Sequence, residues 1–582
     1  MNHSFRRYGE LLGRYLGPHR GRAIILAVLL FGATGLQLAN PQFLRTFVDA
    51  AQAGEPTRVL INAALVYLAV ALVRRVLAIG AAYVGNDLGW RATNALRADL
   101  AEHCLSLDLP FHKSHTPGQL IERIDGDVLA MANFFSQFVV RIVGSALLLV
   151  GILIVLFIED WRIGLSLTAF ALTSLGVLAG LREHAVAEST AEREQSATLF
   201  GFIEERLTSI DDIRANGAGA YAMRRFYEVM RKFTDAAQMA WIKRSVVWLT
   251  SMALFNVGNV LAFGLGAALY LSGAVTLGTA FLLTNYVAML FHPIELLTQQ
   301  LQDLQKAAAG LTRVQELLAL ERIILDGPRD DLPTGPLAVA FQDVSFTYED
   351  GDQQVLRDLN FRLLPGTSVG LLGRTGSGKT TLSRLLFRLY DPTEGAIRLG
   401  DATLPELTLD ALRQRVGMVT QDVQLFQASI RDNLTLFDRS IPDEEILGII
   451  KDLGLTDWIS RQPEGLDTEL AAGGGGLSAG EAQLLAFARV FLKDPGLVIL
   501  DEPSSRLDPA TERLIERAVN RLLRDRTAII IAHRLGTVQR VDEIMIMEDG
   551  RIIEHGPRAR LVEDPASHFS GLLRTGMEES FA

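Results

Sequence analysis

A chain of 582 residues exceeds what one hydrophobic core fills, so at least two domains are expected. Apolar residues make up 49% of it and concentrate before residue 320, while a formal charge of -11 offers no basic face to a phosphodiester backbone and excludes nucleic acid as a partner class. The lone Cys104 rules out an intramolecular disulfide framework, argues against cysteine-based metal cages and suits a reducing compartment.

A helix needs about 20 mostly apolar residues to cross the hydrocarbon core of a bilayer. Residues 23–39 carry no charge and follow a basic flank of Arg6, Arg7, Arg14, Arg20 and Arg22. Their apolar run continues past the usual length of a secretory signal without an Ala-x-Ala-like exit, so they are read as a retained first span. The second span is expected over 59–85, interrupted by Arg74 and Arg75, and the third and fourth over 142–158 and 163–181. Only Glu159, Asp160, Trp161 and Arg162 separate the latter two, which makes them a hairpin. Residues 245–294 are fifty in a row without formal charge, and Leu271-Ser272-Gly273 near their middle predicts two helices and a tight turn. Basic residues crowd the two long connections, 91–137 and 182–244, and are almost absent from the short ones. The positive-inside rule therefore predicts cytoplasmic loops, a cytoplasmic N-terminus and, with six spans, a cytoplasmic C-terminal domain. Arg74, Arg75, Arg141 and Glu295, in or near the spans, are expected to snorkel or pair between helices rather than to bind cargo.

Residues 321–336 turn polar around Gly327-Pro328 and Pro333 and read as a linker between a 1–320 membrane domain and a 337–582 domain. There an apolar strand, 368–372, leads into Gly373-Arg374-Thr375-Gly376-Ser377-Gly378-Lys379-Thr380-Thr381 and a helical pattern. This is the spacing of a phosphate-binding loop: glycines let backbone N–H groups wrap phosphates, Lys379 reaches the β/γ oxygens and the Thr380 hydroxyl ligates Mg2+. Leu497-Val498-Ile499-Leu500-Asp501 is a second buried strand ending in an acid. Asp501 is read as the Mg2+ holder, mostly through water, and the adjacent Glu502 as general base for the attacking water.

With these motifs in order, the chain resembles the ATP-binding cassette family over essentially its full length, specifically exporters that fuse six helices to one nucleotide-binding domain. The resemblance implies an all-α six-helix transmembrane domain plus an α/β P-loop NTPase domain, with ATP and Mg2+ as cofactors. It further implies that Tyr348 stacks on adenine, that Gln421 touches Mg2+ and links the site to the membrane domain, and that His533 contacts the γ-phosphate. Pro110-Phe111, Pro117-Gly118-Gln119-Leu120 and Asp125-Gly126-Asp127 resemble the first cytoplasmic coupling segment of such exporters, and 210–217 the second.

The family signature Leu-Ser-Gly-Gly-Gln reads Leu477-Ser478-Ala479-Gly480-Glu481 here. Ser478 and Gly480, the contacts to ATP held by the partner subunit, are retained. Ala479 adds a methyl where phosphate approaches and Glu481 adds negative charge, both expected to weaken that contact. Ala471-Ala472-Gly473-Gly474 lacks the usual glutamate upstream, and Arg506 stands where the family generally has alanine. These departures fall in what a chain offers its partner, so the expected partner is a second half-transporter, a different chain in preference to a second copy. Lipid bilayer and an unidentified transported substrate complete the expected partners, and the bacterial inner membrane is the expected location. The leading reading is an ATP-hydrolysing exporter or lipid flippase; the alternative is an ATP-binding regulatory or channel-like subunit.

Overall fold

Charge-free windows have no water to satisfy their backbone in lipid, and each of them is helical here. The computed structural model describes residues 13–129, 131, 142–349, 351, 353–421, 423–471, 473, 475–501, 509–532 and 538–575. They divide into two compact units: one holds residues up to 106 together with 115–320, the other holds Leu107–Ser114 together with everything after Leu320.

Among the described residues the first unit is built on six apolar helices: α1 (Arg20–Gln52), α2 (Thr57–Ser106), α5 (Gly144–Glu159), α6 (Trp161–Thr208), α8 (Gly219–Leu271) and α9 (Leu277–Leu318). Short helices α3 (Leu109–Ser114), α4 (Pro117–Ile121) and α7 (Ile210–Ala215) stand between them in the chain, α3 grouping with the second unit. Among the described residues five helices are long and apolar enough to cross a membrane, and α5 is a shorter apolar one. Helical spacing selects the core: Leu148, Ile152 and Leu156 of α5 pack with Ile163 and Leu167 of α6 and with Leu283, Tyr286 and Leu290 of α9.

One expectation about this unit changes. The long connections 91–137 and 182–244 are for the most part not loops. Residues 91–106 continue α2, 182–208 continue α6 and 219–244 begin α8. A 50-residue α2 runs about 75 Å at 1.5 Å per residue, more than twice a hydrocarbon core of about 30 Å. Charge marks where lipid would stop, while the helix continues because α6 and α8 remain partnered, with Arg244 Nη1 donating to Glu192 at 2.7 Å. Asp127, grouped in the sequence with the coupling segment, is 6% exposed and forms a two-point pair with Arg313 of α9, whose Nε donates at 2.8 Å. Arg74 of α2 bonds Gln37 of α1 at 3.3 Å, the inter-helix pairing expected for a span charge; Arg141 lies outside the described residues.

Among its described residues the second unit contains two sheets. Strands β1 (Val339–Thr347), β2 (Gln354–Leu363), β4 (Glu394–Leu399) and β5 (Ala402–Thr403) form an antiparallel sheet in the order β2-β1-β4-β5. Strands β3 (Ser368–Gly373), β6 (Val416–Val419), β7 (Leu497–Asp501), β8 (Thr527–Ile531), β9 (Glu543–Glu548) and β10 (Arg551–Pro557) form the second, in the order β10-β9-β3-β8-β7-β6. All of its pairings are parallel except β10 with β9. The unbroken apolar run of β7 follows from burial on both faces: Leu497 and Ile499 enter one hydrophobic cluster, Val498 and Leu500 the other. Helices α10 (Lys379–Leu386), α11 (Ala479–Lys493) and α12 (Pro509–Leu522) supply most of what concerns the site.

Candidate functional site: a nucleotide pocket at the strand ends

In a parallel sheet every strand end of one kind falls on one edge, and helices that follow point their N-termini there. Leu371 of β3 pairs with Ile531 of β8, Ile531 with Asp501 of β7, and Leu500 with Val419 of β6. The residues just past these carboxyl ends therefore share an edge: the phosphate loop after β3, Asp501 at the tip of β7 and Gln421 two residues beyond β6. His533 follows Ile531 by two residues in the chain. Glu502, His533 and Arg506 lie outside the described residues.

The phosphate loop is shaped by glycine. Gly373 has φ +154 and Gly378 φ +104, and a Cβ on Gly373 would stand 2.3 Å from the carbonyl oxygen of Met547. Ser377 and Arg374 close the loop with a backbone bond of 3.1 Å, and Gly378 caps α10 in the left-handed region. Lys379, 5% exposed, folds its ammonium back to donate to the carbonyls of Gly373 at 2.7 Å and Arg374 at 3.0 Å. Ser377 is buried, and its Oγ has no hydrogen-bond partner among the described residues. A buried cation beside an orphaned hydroxyl and a helix N-terminus is a cradle for phosphate oxygens. Arg374, Thr375, Gly376 and Thr380 are exposed on the same loop.

Tyr348 follows β1 and stands against the other side of α10. Its hydroxyl is 3.0 Å from Thr381 Oγ1 and accepts from Arg384 Nη1 at 3.2 Å. Phe346 and Tyr390 meet its ring edge to face, with centroids at 4.8 and 5.2 Å. Two cations near this ring were not singled out in the sequence: Arg384, and Lys113, whose Nζ is 4.7 Å from the ring centroid. Neither belongs to a motif, and only the folding of β1 and α3 onto α10 brings them there.

Thr380, Gln421 and Asp501 carry hydroxyl, amide and carboxylate oxygens, the donor types that suit a hard cation which keeps several waters and shares the phosphates. Among the described residues no three His, Cys, Asp or Glu side chains group as a metal cage.

Ser478 and Gly480 open α11. Ser478 is its N-cap: Oγ accepts from Glu481 N–H at 3.2 Å, while the Glu481 carboxylate accepts from Ser478 N–H at 2.7 Å and from its Oγ–H at 2.9 Å. The acid at the signature's last position thus completes a capping box on its own helix. Further along α11, half-buried Arg489 donates to Asn433 O at 2.6 Å, Gln424 O at 2.9 Å and Asn433 Oδ1 at 3.1 Å. It pins the segment that follows Gln421, a role no sequence motif announced.

Known proteins resolve the family. Residues 23–294 match the model described as the ABC transporter transmembrane region, and residues 356–505 the model described as ABC transporter. An ATP-dependent lipid A-core flippase of Pseudomonas fluorescens is 30% identical, over 99% of this chain and 97% of its own. The chain belongs to the ABC transporter family. A second lipid A-core flippase, from Idiomarina loihiensis, is 28% identical over 97% of this chain and 96% of its own. A putative multidrug export ATP-binding/permease protein of Bacillus subtilis is 30% identical over 81% and 82% respectively. In fold, the transporter resembles a bacterial Atm1-family ABC exporter solved with ATP bound, at a TM-score of 0.80 and 24% identity, covering 96% of this chain and 99% of that one. The transporter is accordingly a multi-pass membrane protein that dimerises, binds ATP and couples its hydrolysis to export.

Proposed function

We propose that this chain is the hydrolytically competent half of a heterodimeric exporter. The observation that carries the reading is the asymmetry between its two surfaces for nucleotide. The phosphate loop has its full complement, with Lys379 buried and held by loop carbonyls. The signature carries Ala479 and Glu481, and its serine is engaged by that glutamate.

Lys379 and the N-H groups of 374–379 bind and orient the β- and γ-phosphates, and Tyr348 positions the base. Thr380, Gln421 and Asp501 would hold Mg2+, which when bound would supply positive charge against the phosphates. Glu502 accepts the proton of the attacking water, and His533 orients the γ-phosphate. Ser478 and Gly480 contribute to the reciprocal site, on nucleotide held by the partner, where the acid beside them slows closure. Basic residues bordering the spans favour a cytoplasmic N-terminus and nucleotide-binding unit in a plasma membrane, the bacterial inner membrane. The relatives named for lipid A-core flipping make amphipathic lipids the first class of cargo to assay.

Glu502→Gln tests the enzyme reading. Turnover should fall by roughly 100-fold or more, the scale of losing a general base, with ATP binding retained. A variant whose ATPase rate matched the parent would instead favour an ATP-binding regulatory subunit.

A further inference from the structure

The helix α2 ends at Ser106, and the eight residues after it belong with the nucleotide-binding unit. Asp108 anchors their start, one carboxylate oxygen accepting from the backbone N–H of Ile323 at 2.5 Å and of Ile324 at 3.2 Å. Leu109 packs against the hydrophobic cluster that contains Phe346 and Tyr390. One turn on, Lys113 reaches over the aromatic group, with Nζ 4.7 Å from the ring centroid of Tyr348 and 5.5 Å from that of Tyr390. Both lie within the range of a cation–π attraction, about 6 Å.

Tyr348 itself has little freedom. Its hydroxyl is tied to Thr381 and Arg384, and Phe346 and Tyr390 stand perpendicular to it at interplanar angles of 86° and 87°. With the ring held by its oxygen and by these neighbours, the variable is what lies over its face. Lys113 is exposed and sits on a long flexible stem, so moving its ammonium requires no rearrangement of the core.

We propose that Lys113 gates the adenine platform: its ammonium covers the Tyr348 ring, so that a nucleotide base and Lys113 compete for that surface. Base binding releases the Lys113 end of α3 while Asp108 keeps the other end in place. The inference rests on the reading of Tyr348 as the adenine-stacking aromatic. It ties the position of a segment continuous with α2 to the presence of a base, not merely of phosphates. An exposed cation–π contact corresponds to roughly two- to five-fold in affinity.

The test compares dissociation constants of the full chain for ATP and for inorganic tripolyphosphate, which fills the phosphate loop but carries no base. Lys113→Met keeps the length of the side chain and removes the charge; Lys113→Arg keeps the charge. Loss of positive charge as such affects both polyanionic ligands alike, so the ratio of the two affinities isolates the base. Lys113→Met should shift that ratio in favour of ATP by roughly two- to five-fold, and Lys113→Arg should leave it near the parent value. A ratio unchanged or lowered in Lys113→Met overturns the gate. Retained tripolyphosphate binding shows that the unit is folded. Tyr348→Ala separates the two levels: if it lowers the ratio while Lys113→Met does not raise it, the gate alone fails; if it leaves the ratio unchanged, the adenine assignment fails with it.

Discussion

Arg489 shows how much a single side chain can hold in place. Its guanidinium bridges α11 to the segment 424–433 through three acceptors, and burial pushes its pKa below the ordinary arginine value. Arg489→Ala leaves those acceptors without their charged donor and should cost about 2–3 kcal/mol, seen as a lower melting temperature of the full chain in detergent. Arg431 makes a second ionic junction, donating to Asp467 at 3.0 Å and to both oxygens of Asp443. The guanidinium holds the Asp443 carboxyl below its ordinary value of 3.8. A depressed acid contributes stability that is complete above that ordinary value and is lost as pH falls through the lower folded one. Asp443→Asn should therefore flatten the acid limb of a melting-temperature profile below about pH 4, and a limb of unchanged steepness would contradict the assignment. Neither arginine was legible in the sequence, because an arginine acquires such a role only from carbonyls and carboxylates that lie a dozen to more than sixty residues away. Lys379 was legible, because its loop partners are its own neighbours in the chain.

At the scale of elements, the phosphate loop depends on backbone that side chains would obstruct. Gly373→Ala places a methyl against the carbonyl of Met547, a backbone atom that cannot swing aside. ATP affinity should fall by about tenfold or more, measured by nucleotide binding to the full chain, since strain of 1–3 kcal/mol is redirected into the loop. The glycine spacing and the strand before it were readable because strand, loop and helix are contiguous. The extent of the membrane helices was not. Charge bounds the apolar windows, yet helical structure continues past them, through 91–106 in α2 and through 182–208 and 219–244 in α6 and α8, which an Arg244–Glu192 pair joins. The signature helix gave a mixed result. Glu481 was read as an added negative charge, and only the folded turn adds that its carboxylate takes the Ser478 hydroxyl into a capping box.

For the whole molecule, the pairing of halves has a direct assay. Purified alone and reconstituted in lipid, the chain should show weak ATPase activity; a second half-transporter with an intact signature should raise the rate by about tenfold or more, the scale of one well-placed phosphate contact. Full transport-coupled activity from this chain alone would establish a homodimer. Six apolar windows, the phosphate loop and Asp501 at the end of an apolar strand were determined by sequence alone, since each is a local pattern imposed by lipid, by phosphate or by a doubly buried strand. Only the tertiary structure decided which residues meet across chain distance: Asp127 with Arg313, Arg489 with the segment after Gln421, and Lys113 with Tyr348. Those contacts arise from packing between elements, and no period or spacing along the chain encodes which elements will pack.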